Sequence, residues 1–336
     1  MNLPLVSVVL CAVGALLPSA AYGQNTNQVN WTLPTARVNL RSLDESNQPL
    51  AKVSVRLAFC KPRDHTAVVY VEGLTDTNGQ FSAQGHTDHA PGMRAQKAGY
   101  YLGVFPILAF TNTVDNRWQP WDATYTSILR KIENPVPMYA KKVFLHVPQV
   151  GKPCGFDLKE GDWVAPWGKG LVPDFVFTLQ CAYTNFDHQD VSMKLTFSNP
   201  LDGIQPANLP KEYAYSTFIW HRQAPETGYV GNYEMEFGLP NKGFKVPGVA
   251  KNNSIEAVEA LKYYFRVRTV ERDGKIVSAL YGKLSQGFFI GAMNPTNVNV
   301  RTCYYLNPTP LDRNMEFDLK QNQFKNLKFD EQPRKP

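Results

Sequence analysis

Apolar and polar residues alternate with a period of two along most of this chain, and helical spacing is scarce. In KVSVRLAF, residues 52 to 59, Val53, Val55, Leu57 and Phe59 fall on one face while Lys52, Ser54 and Arg56 take the other. Successive side chains of a strand point to opposite faces, so this pattern predicts a strand with one buried side. Phe175, Phe177, Leu179 and Cys181 repeat it, as do Val191, Met193, Leu195 and Phe197. Further on, Tyr233, Met235 and Phe237 alternate with Glu234 and Glu236, and Tyr263, Phe265 and Val267 with Tyr264, Arg266 and Arg268. After this last run comes ERDGK, whose Asp273-Gly274 predicts a tight hairpin because glycine accepts the positive φ such turns need. With 25 Pro and 23 Gly cutting the chain into short runs, the expected class is all-β, a sandwich followed by a second, larger sandwich domain. One short helix is expected through SIEAVEAL, starting at Asn253 or Ser254 with Glu256 reaching back as a cap.

Residues 1–23 read as a signal peptide, with an apolar core from Leu5 to Leu17 and small residues ending in Ala21-Tyr22-Gly23 before Gln24. No Lys or Arg precedes the core, which leaves a membrane anchor as the other reading. That reading meets a length problem, since a span requires roughly 20 apolar residues. No later segment looks transmembrane, so the mature chain is expected to carry no integral membrane segment and to be secreted or periplasmic. Residues 24–35 then form a linker, and about 310 mature residues leave room for two domains at roughly 100 to 200 residues each. VPQVGKPC, at 147 to 154, is rich in turn formers and places the boundary between domains of residues 36–146 and 147–327. The tail, residues 328–336, is expected to be disordered.

Charge and cysteines narrow the partners and the chemistry. Lys plus Arg number 35 against 29 Asp plus Glu, a formal +6, but the excess is spread out and the basic knots, Lys141-Lys142 and Arg334-Lys335, are short. Such a balance suits solubility and loose attraction to anionic surfaces, and argues against nucleic acid as a partner. Cys11 lies in the signal segment, leaving Cys60, Cys154, Cys181 and Cys303. An even number in an exported chain permits two disulfides in any of three connectivities; buried thiols are the alternative. The sequons Asn30-Trp31-Thr32 and Asn252-Asn253-Ser254 matter only if the host glycosylates.

Three segments follow one another in the first third: RVNLRSLDESNQPLAKVSVRLAF, GLTDTNGQFSAQG and MRAQKAGYYLGVF. In the first, SNQPLAKV is a polar turn in which Pro49 leads into a strand. In the second, Asp76 and Asn78 are placed to bond the backbone of a hairpin turn, Gly79 to take a positive φ, and Phe81 to return to the core. The third carries Ala98-Gly99-Tyr100, where glycine permits close packing and the tyrosine covers the sandwich edge. Together they make residues 36 to 109 resemble a carboxypeptidase regulatory-like domain, the small transthyretin-like sandwich related to CnaB modules. The resemblance implies a noncatalytic module, of the kind that sits beside enzymes, in receptor plugs or in adhesive surface proteins. No His is followed by Glu at the third position, so the zinc motif of a true carboxypeptidase is missing. The Tyr-Arg-Gly-Ser ending of hydroxyisourate hydrolases and the His-x-His iron motif of intradiol dioxygenases are missing too. Residues 150 to 336 resemble no family with a known role.

Three constellations are candidates for chemistry. His86, Asp88 and His89 lie together before Pro91-Gly92 and could hold a zinc or copper ion, with His65 or Asp64 completing the shell; the alternative is a solvated loop. Trp118, Trp121, Trp163 and Trp167 lie in Pro/Gly-interrupted segments and could offer flat faces to a glycan or peptide; the alternative is that they plug the ends of sandwiches. Glu160 with Asp162, Asp187 with Asp190, and Glu234 with Glu236 are spaced like glycosidase pairs, but Glu234 and Glu236 fall on the expected solvated face. No nucleophile elbow, phosphate loop, Cys-x-x-Cys or His-Glu-x-x-His occurs, and no cofactor is implied. The expected function is therefore an exported noncatalytic β-sandwich protein, a binding or structural module at the cell envelope with a glycan or protein ligand. The alternative is a secreted hydrolase of polysaccharide or peptide with its site in the C-terminal domain, near Trp163, Trp167 and His221. A third reading is a metal carrier using His86 and His89.

Overall fold

A computed structural model describes residues 33–60, 68–105, 110–240, 242–247 and 254–336. The expected signal peptide, most of the linker, Asn30, Asp64, His65 and the Asn252 sequon lie outside these residues. The regular structure of the described chain is nearly all β, arranged in several sheets with one short α-helix, as the alternation predicts. No helix among the described residues is long and apolar enough to cross a membrane.

The first sandwich joins two sheets. In one, Thr35–Leu43 lies between Gln80–His86, antiparallel, and Ala123–Ile128, parallel, and a short hairpin of Thr113–Val114 and Arg117–Trp118 continues the sheet. The other runs Val68–Leu74, Ser54–Cys60, Gly92–Gln96 and Gly103–Val104. Val53, Val55, Leu57 and Phe59 are fully buried and meet Val38 and Leu40 from the facing sheet. Burying one such side chain stabilises by roughly 1.5 to 3 kcal/mol, which is why register follows the apolar face. The Asp76 carboxylate accepts from the Asn78 and Gln80 amides, and Gly79 has φ +72°, as that turn requires. Gly99 departs from expectation. A Cβ there would meet nothing within 4 Å, so the position calls for glycine through its φ of +79° rather than through close packing.

The second sandwich has six strands in each sheet. Its outer sheet runs Asp162–Trp163, Cys154–Asp157, Phe175–Asn185, His188–Thr196, Asn232–Leu239 and Gly243–Lys245. Its central sheet runs Gly203–Pro206, Tyr263–Arg272, Lys275–Asn294, Asn297–Leu306, Val136–His146 and Phe317–Asn322. Between them pack Phe175, Phe177, Met193, Met235, Phe265 and Phe288, many of the rings edge to face. Asp273 and Gly274 form the expected hairpin turn, with φ of +52° and +72°. The helix is Ile255–Glu259, and the Ser254 hydroxyl accepts from the Ala257 amide at its start.

Several expectations need correction. Val136–His146 pairs with Asn297–Leu306 from Tyr139↔Leu306 to His146↔Asn299, so this strand is part of the second sandwich and not of a first domain ending at residue 146. The turn formers of VPQVGKPC mark a crossing between the two sheets of one sandwich, not a linker between domains. The tail from Lys328 is ordered against the same sandwich. The Lys142 amide donates to Glu331 O (2.8 Å), the Lys141 ammonium pairs with the Glu331 carboxylate (3.2 Å), and the Tyr305 hydroxyl donates to Lys335 O (2.9 Å). Tyr264 and Arg266, expected on a solvated face, are buried because the connection after Pro206 lays Phe218, Trp220 and Ala224 over that face. Arg268 leaves the alternation altogether. Its φ is +56° at a register shift, which turns the guanidinium onto Asp174 (2.7 Å) and Asp157 (2.8 Å). Cys154, Cys181 and Cys303 carry free thiols, so the two-disulfide framework is not formed.

The two sandwiches meet through buried charge. Glu45, in the turn after the first strand, binds Arg130 (2.9 Å) and takes both terminal nitrogens of Arg222 (2.7 Å each). Arg130 is only 2% exposed and also donates to the Phe218 and Trp220 carbonyls. Nearby the Tyr101 hydroxyl donates to Glu316 (2.8 Å), and the edge residue Val104 donates to Tyr215 O (2.7 Å).

Candidate functional site

The predicted site residues do not converge on one place. Trp163 is a core residue, 7% exposed, edge-on to Phe156 and Phe177 with its indole N–H donating to His146 O (3.1 Å). It can offer no face to a ligand, because its strand turns it between the sheets. Trp167 stands exposed on the loop that follows. Trp118 stacks on Phe110 (5.2 Å, 12°) at the edge of the first sandwich's core, and Trp121 lies beneath the Arg117 guanidinium (5.1 Å). His221 sits beside the Tyr264 hydroxyl (3.2 Å), on the opposite side of the central sheet from Trp163. The residues named for a hydrolase are thereby separated.

The histidine stretch meets the first aromatic one. Trp118 donates its indole N–H to Thr87 O (2.9 Å), between His86 and Asp88. His86 ends its strand, and its Nδ1 lies 3.0 Å from Leu33 O and 3.2 Å from the Thr35 hydroxyl. A carbonyl only accepts, so this contact favours the tautomer with the proton on Nδ1 and the lone pair on Nε2. His89 instead pairs with its neighbour Asp88. Among the described residues no three His, Cys, Asp or Glu side chains gather as a metal group.

Two concave regions lie on opposite faces of the second sandwich. On the outer sheet, a cavity of about 530 Å³ is lined by Asp190, Ser192, Glu236, Lys242 and Lys245 among others. Its charges are matched: Lys242 pairs with Asp190 (2.6 Å) and Lys245 with Glu236 (3.0 Å). Glu234 likewise pairs with Lys194 (3.3 Å), so Glu234 and Glu236 are engaged on a solvated face.

On the outward face of the central sheet, two cavities of about 540 and 790 Å³ share Ile219, Ala260 and Lys262 in their walls and adjoin there as a two-part groove. These are volumes at which proteins hold small molecules. Strand residues Lys142, Ser285, Gln286 and Cys303 make its floor, the helix supplies Glu256 and Glu259, and Arg334 and Lys335 come from the tail. Both basic knots of the sequence thus reach one place. Among the described residues, Lys142, Lys211, Lys262, Arg334 and Lys335 form no ion pair with a carboxylate. Of the groove's own carboxylates, Glu259 pairs with Arg301 (3.2 Å), while Glu256 accepts from the neutral Ser254 hydroxyl (2.6 Å) and keeps its charge.

Lys262 is the joint of the groove. Its ammonium donates to the Ala260 and Glu259 carbonyls at the end of the helix (2.8 and 3.4 Å). Burial, reinforced by the nearby Lys335 charge, pulls its pKa from 10.5 down to about 8. Beneath the floor, Lys283 is fully buried, donates to Met315 O (2.6 Å) and lies about 5 Å from the rings of Trp220 and Tyr305. Burial drives its pKa well below the ordinary lysine value and lifts the Cys303 thiol above its own. Sequence reasoning missed this groove. The one signal was the pair of basic knots, which only the docking of the tail against Val136–His146 and Tyr305 brings to one face.

No protein-family model matches the chain, and no curated protein matches it. Among solved structures, a 3-chlorocatechol 1,2-dioxygenase from Rhodococcus opacus 1CP aligns at 13% identity and a TM-score of 0.24, over 31% of this chain and 63% of the dioxygenase. A candidate carbohydrate-binding protein from Bacteroides uniformis aligns at 9% identity and TM-score 0.19, over 81% of this chain and 98% of that one. A streptococcal ancillary pilin aligns at 13% and 0.19, over 74% of this chain and 59% of the pilin. At these TM-scores none of the three speaks to fold or function.

Proposed function

We propose that this chain is an exported, noncatalytic binding protein of the cell envelope whose ligand site is the groove around Lys262. The observation that supports it is unmatched charge: five cations line a concave surface and none meets a carboxylate among the described residues. Field lines from such a cleft attract an oppositely charged partner, and binding it satisfies groups the fold leaves over. Hydrolysis is less well supported, because Glu259 is paired with Arg301, which leaves Glu256 without a second free carboxylate among the groove's lining for a two-carboxylate mechanism. On this reading residues 36 to 109 are a carboxypeptidase regulatory-like module that carries the groove-bearing sandwich, and Trp118, Trp121 and Trp167 offer secondary contacts to a glycan or protein surface. Residues 1–23 direct export to the periplasm or beyond.

The test is a thermal-shift screen of the mature chain against glycans, peptides and organic anions, followed by hydrogen exchange on any hit. Protection of the amides around Lys262 and Lys335 is the expected result. Turnover of a polysaccharide or peptide by the purified chain overturns the noncatalytic reading, and a hit that protects only the outer sheet moves the site. Amino-terminal sequencing of the exported protein should begin at Gln24; a start at Met1 sinks the export signal.

A further inference from the structure

We propose that the groove around Lys262 takes an acidic oligosaccharide, a sugar chain bearing carboxylates, laid across both of its parts. The inference deepens the binding reading above and rests on it.

Its first support is the spread of the unmatched cations. The part toward the tail carries Lys142, Arg334 and Lys335, the other part carries Lys211, and Lys262 stands in the wall of both. Among the described residues the side chains of Lys142, Lys211, Arg334 and Lys335 make no ion pair and no hydrogen bond, and the Lys262 ammonium donates only to backbone carbonyls. Glu256 opposes an anion in the part toward the tail, but it stands there against Lys142, Lys262, Arg334 and Lys335. A ligand that meets cations in both parts must carry more than one negative charge along its length.

The second support is the neutral lining. Thr217 and Gln286 in one part and Asn208 in the other offer a hydroxyl and two amides that have no hydrogen-bond partner among the described residues. Such groups both donate and accept, as sugar hydroxyls do. Ala207, Leu209 and Leu261 supply apolar wall between them for the C–H edges of a ring.

Three other classes fit less well. The aromatic residues lining the groove, Trp220, Tyr263 and Tyr305, are each at most 3% exposed, so no ring face is free for a neutral sugar to stack on, and charge must supply the hold. The same lack disfavours a single-stranded nucleic acid, whose bases stack on aromatic platforms. An acidic peptide added as a strand needs a free sheet edge. Gly203–Pro206, the edge strand at the groove, already exchanges both backbone bonds of Ile204 with Val230 (3.0 Å each).

The probe is tetragalacturonate, titrated calorimetrically into the mature full-length chain at pH 7. Maltotetraose supplies the hydroxyls without charge, galacturonate a single charged ring, and tetraglutamate the charges on a peptide. Tetragalacturonate is expected to bind at least about tenfold more tightly than any of the three, and Lys262→Met, which keeps the aliphatic stem, to weaken it by about tenfold or more. Lys211→Met and Lys335→Met, one in each part, should each weaken it severalfold; both residues lie at the surface of the groove, and thermal midpoints guard against a folding artefact. The proposal is overturned if tetragalacturonate does not bind, if maltotetraose or galacturonate binds as tightly, or if either of these two variants binds it like the wild type, since the chain then does not span both parts. Equal or tighter binding of tetraglutamate also overturns it, in favour of an acidic peptide. Should tetragalacturonate fail while another ligand protects the Lys262 region in hydrogen exchange, the binding reading stands and this ligand class alone is lost.

Discussion

The cavity on the outer sheet and the nearer arm of the groove are almost the same size, about 530 and 540 Å³, yet they settle their charges in opposite ways. In the first, lysines and carboxylates alternate on neighbouring strands and pair across them at 2.6 to 3.0 Å. In the second, the cations arrive from a strand, a helix end and the tail, and neither nearby carboxylate pairs with them: Glu259 is taken by Arg301 and Glu256 bonds only the Ser254 hydroxyl. Volume alone therefore does not distinguish a site from a dimple. What distinguishes them is whether the chain supplies the counter-charge itself.

The buried junction at Glu45 shows matching carried into the interior, and it should give the largest effect. Glu45→Gln leaves Arg130, 2% exposed, without its counter-charge, and is expected to cost about 3 to 5 kcal/mol in denaturant unfolding. A loss below about 1 kcal/mol would mean that charge matching contributes little in this fold. The same contact predicts an acid limb. Burial opposes the Glu45 charge, but hydrogen bonds from Arg222 and Arg130 outweigh it and hold the pKa at about 2 instead of 4.5. The folded value lies below the unfolded one, so this stabilisation is present above pH 4.5 and drains as pH falls toward 2. Glu45→Gln should flatten that limb.

Reversing charge comes next. Lys262→Glu should reduce the groove's affinity for an anionic ligand by about a hundredfold, while Lys245→Glu, in the matched cavity, should leave it within about twofold. Equal losses would erase the distinction between the two regions. A smaller effect separates charge from shape at Lys262. Its folded pKa, about 8, lies below the unfolded 10.5, so affinity for an anionic ligand should fall by about tenfold as pH rises through 8 and the ammonium deprotonates. Folding stability should move the other way, rising between pH 8 and 10.5 relative to Lys262→Met, because the unfolded chain binds the extra proton there. Burial and Lys335 push in this direction, with Cys303 and Glu259 opposing. The smallest effect belongs to the matched side. Lys242→Ala breaks an exposed pair and should change stability by less than about 1 kcal/mol without touching ligand binding.

Much of the fold was legible from local rules. Val53 to Phe59, Phe175 to Leu179 and Val191 to Leu195 alternate in the sequence as they do in burial, because a strand has only two faces. Asp76 to Gly79 and Asp273-Gly274 announce their turns through positive φ and short side-chain bonds to the backbone, interactions spanning a few residues. Trp163 stays open in the sequence between a ligand face and a sandwich plug, because a tryptophan among Pro and Gly reads the same whether its two-residue strand turns it outward or between sheets; burial decides for the plug. Tyr264 and Arg266 were misjudged because their cover comes from Phe218 and Trp220, which no pattern at residue 264 reveals.

From its residues alone this chain declared an all-β class, its hairpins and the cap of its one helix, all of them settled by neighbours along the backbone. Only the folded arrangement decided that Val136–His146 joins the second sandwich, that the tail lies against it, and that Lys142, Lys262 and Lys335 face one groove. Pairing register and charge act through space, and the residues they bring together are separated by most of the length of the chain.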